Sequence, residues 1–355
     1  MNIFNITVFA FLVTAILSYL ITPYVIKASY KLGIVDDPKK NKHPKVIHTY
    51  PVPRGGGLAI FLAFLISALI FLPFDKHLKG IIAGAIILTV LGIADDKYNL
   101  NPYFRLFMQF VAVSMPVVAG IGIPFINNPL TSGIIDLSQP QISFEILGRH
   151  SIWIISDLFA ILWILVLMNF LNMGAKGVDG QLPGVTAIAA ATIAVLSLKF
   201  SADITEWPVI ILAVITSGAF LGFLPYNMYP QRIMPSFSGS TLAGYLLGVL
   251  SILSTTKVGT LLVVLGIPLI DTGYTIVRRI ASGKSPVWGD RGHLHHKLLD
   301  MGLSKKQVSY FYWTSTAILG IMSLYLTSTH KFYTFIGITI LLGGLLLWLT
   351  YRSKS

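Results

Sequence analysis

The chain has 355 residues, of which 54% are hydrophobic and only 11% are charged, with a net charge of +12 and no cysteine. Soluble domains carry roughly 25% charged residues, so this composition excludes an ordinary soluble protein and indicates a membrane protein. The absence of cysteine excludes disulfides, thiolate metal sites and a cysteine nucleophile.

Eleven stretches are apolar over a length that predicts membrane-spanning helices, which need about 20 mostly apolar residues. Runs this long exclude a transmembrane β-barrel. The sequence therefore predicts an all-α, polytopic membrane bundle of about 11 helices that forms one integral-membrane domain over residues 1–355. The stretches lie near residues 3–27, 55–73, 80–95, 104–124, 151–172, 183–200, 208–228, 239–255, 258–278, 308–328 and 331–350.

Two segments need a separate interpretation. The first stretch has no basic leader and no small-residue cleavage site, which favours a retained helix over a signal peptide. Between the fourth and fifth stretches, partial alternation of apolar and polar residues around Gln139-Pro140 predicts one small hairpin outside the membrane.

The basic residues indicate the orientation of the bundle. If the N-terminus lies outside, most of the 26 lysine and arginine residues fall in inner segments, which predicts an N-out, C-in topology. This bias accounts for most of the net charge, so no nucleic-acid partner is expected. Five polar segments then fall on the cytoplasmic face, where we expect the catalytic loops: 36–57, 95–101, 169–180, 225–240 and 290–300.

Two adjacent carboxylates, Asp95 and Asp96, close the third apolar stretch. Adjacent negative charges at a membrane edge are costly unless a positive group lies near them. A divalent cation or a lysine such as Lys97 satisfies this requirement, and a solvated helix end is the alternative. A hard oxygen site of this kind favours magnesium, which typically binds one or two carboxylates plus substrate phosphates.

The segment from Asn169 to Gly180 combines amides, glycines and one carboxylate, Asp179. Asn169 and Asn172 are three residues apart and therefore share one face of a helix. The following glycines permit a close approach to a phosphate or a sugar, with backbone amides as donors. An ordinary glycine-rich turn between two helices is the alternative.

Three histidines, His293, His295 and His296, follow Arg291 in the last polar segment. Histidine binds phosphate or acts as an acid or base near neutral pH, and arginine suits bidentate phosphate binding. A zinc site and solvated loop histidines are the alternatives. Asp271, inside the ninth stretch, is either a structural hydrogen-bonding group or part of a polar site.

The first loop is basic, which indicates a topology signal, a patch for anionic lipids or a site for a diphosphate. Its basic residues are Lys39, Lys40, Lys42, Lys45, His48 and Arg54.

In order along the chain, these segments resemble motifs of the bacterial polyprenyl-phosphate N-acetylhexosamine-1-phosphate transferases, glycosyltransferase family 4. The resemblance covers nearly the whole chain, and its last motif is similar to the N-acetylglucosamine-type branch. The segments are DDPKKNKHPKVIHTYPVPRGGGLAIF, GIADDKYNLNPYFRLFMQ, NFLNMGAKGVDG, PLIDTGYTIVRRI and DRGHLHHKLLDMGLSKKQ.

The resemblance implies transfer of a HexNAc-1-phosphate, GlcNAc-1-phosphate above all, from a UDP-sugar to undecaprenyl phosphate. UMP is released, and the product starts a lipid-linked cell-envelope glycan at the cytoplasmic face of the inner membrane. The implied cofactor is Mg²⁺, with Mn²⁺ as an alternative, and a homodimer is implied as an assembly.

The resemblance also assigns roles to residues. It implies that Asp95, Asp96 and Asp179 are catalytic and that Asp96 and Asp179 hold the metal, with Asp95 activating the attacking phosphate oxygen. It implies that the substrates are bound by Lys45, His48, Asn169, Asn172, Arg291, His293, His295 and His296.

Two positions depart from the family pattern. Lys176 stands where the family usually has a further aspartate, and Phe237 stands where the family places an aspartate at the metal. These departures support an alternative, a non-catalytic relative that binds a lipid phosphate or a nucleotide. A transporter or flippase is a weaker alternative, because the polar residues cluster at one surface and no repeat is evident.

Overall fold

The computed structural model describes residues 3–41, 47–128, 130, 133–145, 149–199, 207–254, 257–286 and 289–352. These residues form thirteen helices and six short strands. The helices are α1 (Ile3–Lys31), α2 (Gly56–Phe71), α3 (Lys76–Tyr98), α4 (Pro102–Val118), α5 (Ile154–Gly174), α6 (Gln181–Lys199), α7 (Trp207–Asn227), α8 (Ser236–Leu253), α9 (Lys257–Val264), α10 (Gly266–Ala281), α11 (Leu294–Asp300), α12 (Lys305–Ser323) and α13 (Ser328–Arg352).

The predicted class, a polytopic helical membrane protein, is confirmed. Each predicted stretch corresponds to a helix or, for 258–278, to the pair α9 and α10, which is bent by 81°. Within the described residues, seven helices are long and apolar enough to cross a bilayer, or eight if the bent pair is one span. The count of eleven is therefore not confirmed, because α2 and α4 are shorter apolar helices and α12 does not meet the same test. The N-out, C-in orientation stays a prediction, as does the single domain.

The strands pair as three antiparallel hairpins. β1 (Val35–Asp36) pairs with β2 (Val52–Pro53), and this pair closes the first polar segment. The hairpin predicted around Gln139-Pro140 is present in the structure as two hairpins, one on each side of this dipeptide. They are β3 (Phe125–Asn127) with β4 (Ile134–Asp136), and β5 (Gln141–Glu145) with β6 (Arg149–Trp153). Gln139-Pro140 joins them, and a proline lacks the N–H that a paired strand needs.

Helices α3 and α8 cross at close range in the centre of the bundle. The fully buried Tyr245 donates its hydroxyl to the Ile81 carbonyl oxygen at 2.9 Å, which satisfies its polar group. A Cβ atom at Gly84 would lie 2.2 Å from the Tyr245 hydroxyl, and one at Gly92 would lie 2.3 Å from Ser238 Cβ. Small residues permit such close packing of helices in a membrane, and the close packing positions the end of α3 beside the beginning of α8.

Candidate active site

Asp95 lies in the last turn of α3 and is only 2% exposed. Helix α3 ends at Asn99 in the left-handed conformation (φ 49°), and the next residue, Leu100, donates its N–H to Asp95 Oδ1 at 3.0 Å. Arg105 of α4 donates from Nη1 to both Asp95 oxygens, at 3.2 and 3.1 Å. The Arg105 guanidinium also lies 4.9 Å from the centre of the Phe237 ring. Asp95 is therefore a buried carboxylate with an arginine as its partner.

Asp96, 3% exposed, faces the beginning of α8. Its Oδ1 accepts from Ser236 Oγ at 2.5 Å and lies 3.4 Å from both the Phe237 N–H and Arg54 Nη2. Its Oδ2 accepts from Ser238 Oγ at 3.3 Å. The exposed amides at a helix N-terminus attract negative charge, which explains why a carboxylate lies there.

Ser236 has a backbone conformation that is unusual for a residue other than glycine, with φ 56°. Its hydroxyl donates to Asp96 and accepts from Arg54 Nε at 3.2 Å. Backbone strain of this kind is often found at functional sites. Ser236 is a site residue that the sequence analysis missed, and the sequence signal was its place in a polar segment beside Phe237.

Two cationic side chains reach the aspartate pair from loops. Arg54 also donates from Nη1 to Asn99 Oδ1 at 3.3 Å, which ties the first polar segment to the end of α3. Lys176 is close enough for its charge to act favourably on Asp96. Arg105 was not predicted as a site residue, whereas Arg54 belongs to the basic first loop, for which a diphosphate site was one interpretation.

The two predicted asparagines contact different helices. Asn172 Oδ1 accepts from Ser240 Oγ at 2.8 Å, so Asn172 lies beside the beginning of α8. Asn169 donates from Nδ2 to Gln109 Oε1 at 3.0 Å and to the Leu165 carbonyl oxygen at 2.8 Å. Asn172 therefore connects α5 with the first turns of α8, the helix whose beginning Asp96 faces, whereas Asn169 connects α5 with α4.

The glycine-rich loop between α5 and α6 is held by internal hydrogen bonds. Gln181 Oε1 accepts from the N–H groups of Gly177 and Val178 at 3.0 and 3.2 Å, and Gln181 Nε2 donates to the Gly174 carbonyl oxygen at 2.9 Å. The Gly177 backbone packs on the face of the His295 ring. The amides expected to bind a phosphate are thus used within the protein, by a glutamine that the sequence analysis missed.

Asp179 forms a second polar cluster with Lys305, His48 and Tyr50. Its Oδ2 lies 3.7 Å from Lys305 Nζ, and its backbone oxygen accepts from Ser309 Oγ at 2.6 Å. Burial raises the pKa of the Asp179 carboxyl, while the charges of Lys305 and His48 lower it. Partial burial and the charge of Asp179 raise the pKa of the half-buried Tyr50. His48 is buried and its Nε2 lies 4.0 Å from an Asp36 oxygen.

Lys45 lies outside the described residues. Of the predicted substrate-binding residues in the first loop, the structure therefore positions only His48, in the Asp179 cluster.

The histidine segment is anchored by Asp271, which is 0% exposed. Asp271 Oδ1 accepts from the Leu294 N–H at 2.7 Å, and Oδ2 pairs with His293 Nδ1 at 3.0 Å. The His293 ring stacks on His295 with centroids 5.5 Å apart, and the His295 and His296 rings are 4.3 Å apart. Of the two interpretations of Asp271, this geometry supports the structural one, because Asp271 fixes the beginning of α11.

His295 and His296 are uncharged at neutral pH. Burial, together with the positive charge of neighbouring groups, lowers the pKa of His295 well below its ordinary value. Burial and the charge of Arg291 lower the pKa of His296 to about 4. The Nδ1 atoms of both rings have no hydrogen-bond partner within the described residues. In this structure the two rings are therefore uncharged and can donate or accept a hydrogen bond.

Two other residues of this segment are paired. Arg291 lies at the surface and donates to Asp300 Oδ1 at 2.7 Å. Burial raises the pKa of Asp290, but hydrogen bonds from Arg279 and Gly292 and the charge of Arg278 outweigh it and lower that pKa to about 2. The loop before α11 is thereby attached to the end of α10.

The expected metal ligands do not fit a divalent cation. Both oxygens of Asp95 and both oxygens of Asp96 accept hydrogen bonds from the protein. Asp179 Oδ2 accepts no hydrogen bond within the described residues, but the positive charge of Lys305 lies 3.7 Å from it. Within the described residues, no three histidine, aspartate or glutamate side chains are arranged to hold a metal ion. Magnesium or manganese therefore stays a prediction from the resemblance, and we derive no chemical step through a metal.

The fold and the site together define an integral membrane protein with a cationic site at one end of its bundle. The site combines Arg54, Arg105 and Lys176 with buried carboxylates, a combination suited to phosphoryl groups.

Comparison with known proteins identifies the class. The model of glycosyl transferase family 4 matches residues 78–255. A probable undecaprenyl-phosphate N-acetylglucosaminyl 1-phosphate transferase of Bacillus subtilis is 32% identical over 84% of this chain and 79% of its own length. A decaprenyl-phosphate N-acetylglucosaminephosphotransferase of Mycolicibacterium smegmatis is 28% identical over 88% of this chain and 80% of its own length. A phospho-N-acetylmuramoyl-pentapeptide-transferase of Caldanaerobacter subterraneus is 27% identical over 90% of this chain and 96% of its own length.

The chain belongs to glycosyl transferase family 4, and it is an enzyme of the transferase class. The resemblance given by the five sequence motifs is thereby confirmed. The relatives' names do not favour the binding-only and transporter alternatives.

Proposed function

We propose that this enzyme transfers a HexNAc-1-phosphate, with GlcNAc-1-phosphate as the first choice, from a UDP-sugar to undecaprenyl phosphate and releases UMP. The observation that carries the proposal is the cationic site at the end of a membrane bundle, where Arg54 and Arg105 pair with two buried carboxylates and the charge of Lys176 acts on Asp96. A lipid phosphate and a soluble nucleotide can meet at such a place. The names of the relatives support the same acceptor and donor classes.

In the proposed reaction, an oxygen of the acceptor phosphate forms a bond to the β-phosphorus of the donor. The bond from that phosphorus to the bridging oxygen breaks, and UMP leaves with the electron pair. Such transfers depend on positioning and on neutralising charge more than on covalent catalysis. The Arg54 and Arg105 side chains are 21% and 30% exposed, so they can contact a phosphate while they remain paired with the carboxylates.

The contacts support a positioning role for the aspartate pair. Asp95 holds Arg105 through both carboxylate oxygens, and Asp96 holds Arg54 directly and through Ser236. Arginine presents several N–H donors in a fixed plane. A carboxylate that binds one edge of the guanidinium group therefore leaves the remaining N–H donors available to a phosphate. Activation of the attacking oxygen by Asp95 stays a prediction, as does substrate binding by the histidines, Asn169, Asn172, His48 and Arg291.

The proposed cellular setting follows from the topology prediction. The site would face the cytoplasm from the inner membrane, where the UDP-sugar is available, and the product would start a lipid-linked cell-envelope glycan. A homodimer remains part of the proposal from the resemblance.

UMP release tests the function. The full chain in nanodiscs would receive undecaprenyl phosphate and each of several UDP-N-acetylhexosamines, with Mg²⁺, Mn²⁺ or EDTA. We expect lipid-dependent UMP release with UDP-N-acetylglucosamine, and a loss of about 100-fold or more in Asp96→Asn, because the Arg54 position depends on that charge.

The matched control is Asp136→Asn, because Asp136 lies in an exposed hairpin and an asparagine can still accept from the Ser138 N–H. It should release UMP at the wild-type rate. Absence of lipid-dependent UMP release with every donor, while a UDP-sugar still binds, would contradict the proposal and favour a binding-only relative.

A further inference from the structure

The charged side chains at and around the aspartate pair have a net positive charge. Two carboxylates, Asp95 and Asp96, face three cationic side chains, Arg54, Arg105 and Lys176. A divalent cation would enter a region that already has more positive than negative charge, in a buried place where charges interact strongly. A phosphate group meets the opposite situation, because it supplies the negative charge that the region lacks.

The carboxylate oxygens are also occupied. Asp95 accepts from Arg105 and from the Leu100 N–H, and Asp96 accepts from Ser236 and Ser238. A metal ion would have to compete with these donors for the carboxylate oxygens, and a buried hydroxyl such as that of Ser238 would lose its acceptor if it were displaced.

An aromatic side chain, Phe237, also lies beside the pair. Phe237 is 4% exposed, its N–H lies 3.4 Å from Asp96 Oδ1, and its ring packs on the Arg105 guanidinium. Magnesium gives up its water reluctantly and usually keeps several water ligands. A buried aromatic ring at this position provides neither a ligand for the ion nor a hydrogen-bond partner for its water.

We propose that Arg54, Arg105 and Lys176 take the place of a divalent cation at the aspartate pair, so that this site binds a phosphate group without a metal ion. The identity of the phosphate, from the lipid acceptor or from the nucleotide donor, rests on the proposed function. The inference that no metal binds at the pair does not depend on the proposed function, because metal binding is measured without turnover.

The test is a titration of the full chain in detergent with Mn²⁺, followed by the electron paramagnetic resonance signal of the free ion. We expect no Mn²⁺ at the pair in the wild type. The double variant Phe237→Asp/Lys176→Asp adds two carboxylates and removes one cation, so it should bind Mn²⁺ more than roughly tenfold more tightly than the wild type. The matched control, Phe237→Asn/Lys176→Asn, makes a similar change in size without the negative charges and should not gain this affinity.

Two results would overturn the proposal. One is Mn²⁺ binding by the wild type that Asp96→Asn abolishes, because that ion would lie at the pair. The other is a folded Phe237→Asp/Lys176→Asp variant that binds no more Mn²⁺ than the wild type, because charge would then not be what excludes the ion. The single variant Lys176→Asp replaces the double variant in this comparison if the latter does not fold. Mn²⁺ bound equally by the wild type and Asp96→Asn lies elsewhere and supports the proposal.

Turnover gives a second, separable measurement. Lipid-dependent UMP release in EDTA should stay within about twofold of the rate in Mg²⁺. A rate that EDTA abolishes and Mg²⁺ restores would contradict a metal-independent site. UMP release that is absent under all conditions would refute the proposed function and leave the result of the Mn²⁺ titration standing.

Discussion

Gly177 allows the glycine-rich loop to lie directly on the face of the His295 ring, and one added methyl group tests this contact. In Gly177→Ala, the new Cβ atom would lie 2.2 Å from the ring Cγ and 2.3 Å from both Cδ2 and Cε1. Ordinary contact begins near 3.4 Å. The ring and the loop would therefore have to separate by about 1.2 Å in a closely packed interior.

The ring cannot move aside easily, because His293 stacks on it at 5.5 Å and His296 lies at 4.3 Å. The loop is held by Gln181 through two amides. Overpacking of this kind typically costs 1–3 kcal/mol, so we expect a loss of about that size in the free energy of unfolding. A shift of about 1 Å at a catalytic centre can cost about 100-fold in rate, so we expect UMP release to fall by that order.

Thermal melting and the rate of UMP release measure the two effects. Gly337→Ala is the matched control, because no heavy atom lies within 4 Å of the Cβ position at Gly337 in α13. It should change neither quantity appreciably. Wild-type melting and wild-type turnover in Gly177→Ala would refute the close contact between the loop and the ring.

Two further predictions concern the histidine segment. Asp271→Ala removes the acceptor for the buried Leu294 N–H and the partner of His293, so it should lower the free energy of unfolding by about 2–4 kcal/mol. The exposed control Asp300→Ala should lower it by less than about 1 kcal/mol, and equal losses of melting temperature would contradict the structural role. Burial and neighbouring charge hold the pKa of His296 at about 4 against an ordinary 6.5, so the unfolded chain binds more protons between these values. Stability is therefore fully present above pH 6.5 and is lost as the pH falls toward 4. Melting temperatures should fall between about pH 7.5 and pH 5, and less steeply in His296→Gln; identical slopes in the two proteins would exclude His296 as a cause.

Apolar length was sufficient to predict the helices, because a spanning helix must satisfy its own backbone and cover itself with apolar side chains. It was not sufficient to predict their breaks. The stretch 258–278 was interpreted as one span, whereas α9 and α10 meet at Leu265 with a bend of 81°. Gly266 and Pro268 mark the position in the sequence, but the direction of the bend depends on packing against other helices.

The sequence predicted several residues of the candidate site, but it did not predict which side chains they contact. Asp95, Asp96, Asn172 and Asp179 were found because ionisable and amide groups are costly near a membrane and indicate function. Their partners come from distant segments, such as Arg105 for Asp95 and Lys305 for Asp179. A single sequence does not contain those distances.

Phe237 illustrates the same limit. The resemblance aligned Phe237 with a family aspartate, which indicates only that a carboxylate is missing at this position. The structure shows what replaces it, an aromatic face on the Arg105 guanidinium.

The link between Tyr245 and Ile81 has a consequence for bilayers of different thickness. Helices adapt to a thicker or thinner membrane by tilting, and helices that tilt independently shift their ends relative to each other. Helices α3 and α8 are joined by the hydrogen bond from Tyr245 in the middle of α8 to Ile81 near the beginning of α3, and they cross closely at Gly84 and Gly92. We therefore expect them to tilt together, so that the contact between Asp96 and the beginning of α8 is kept in membranes of different thickness.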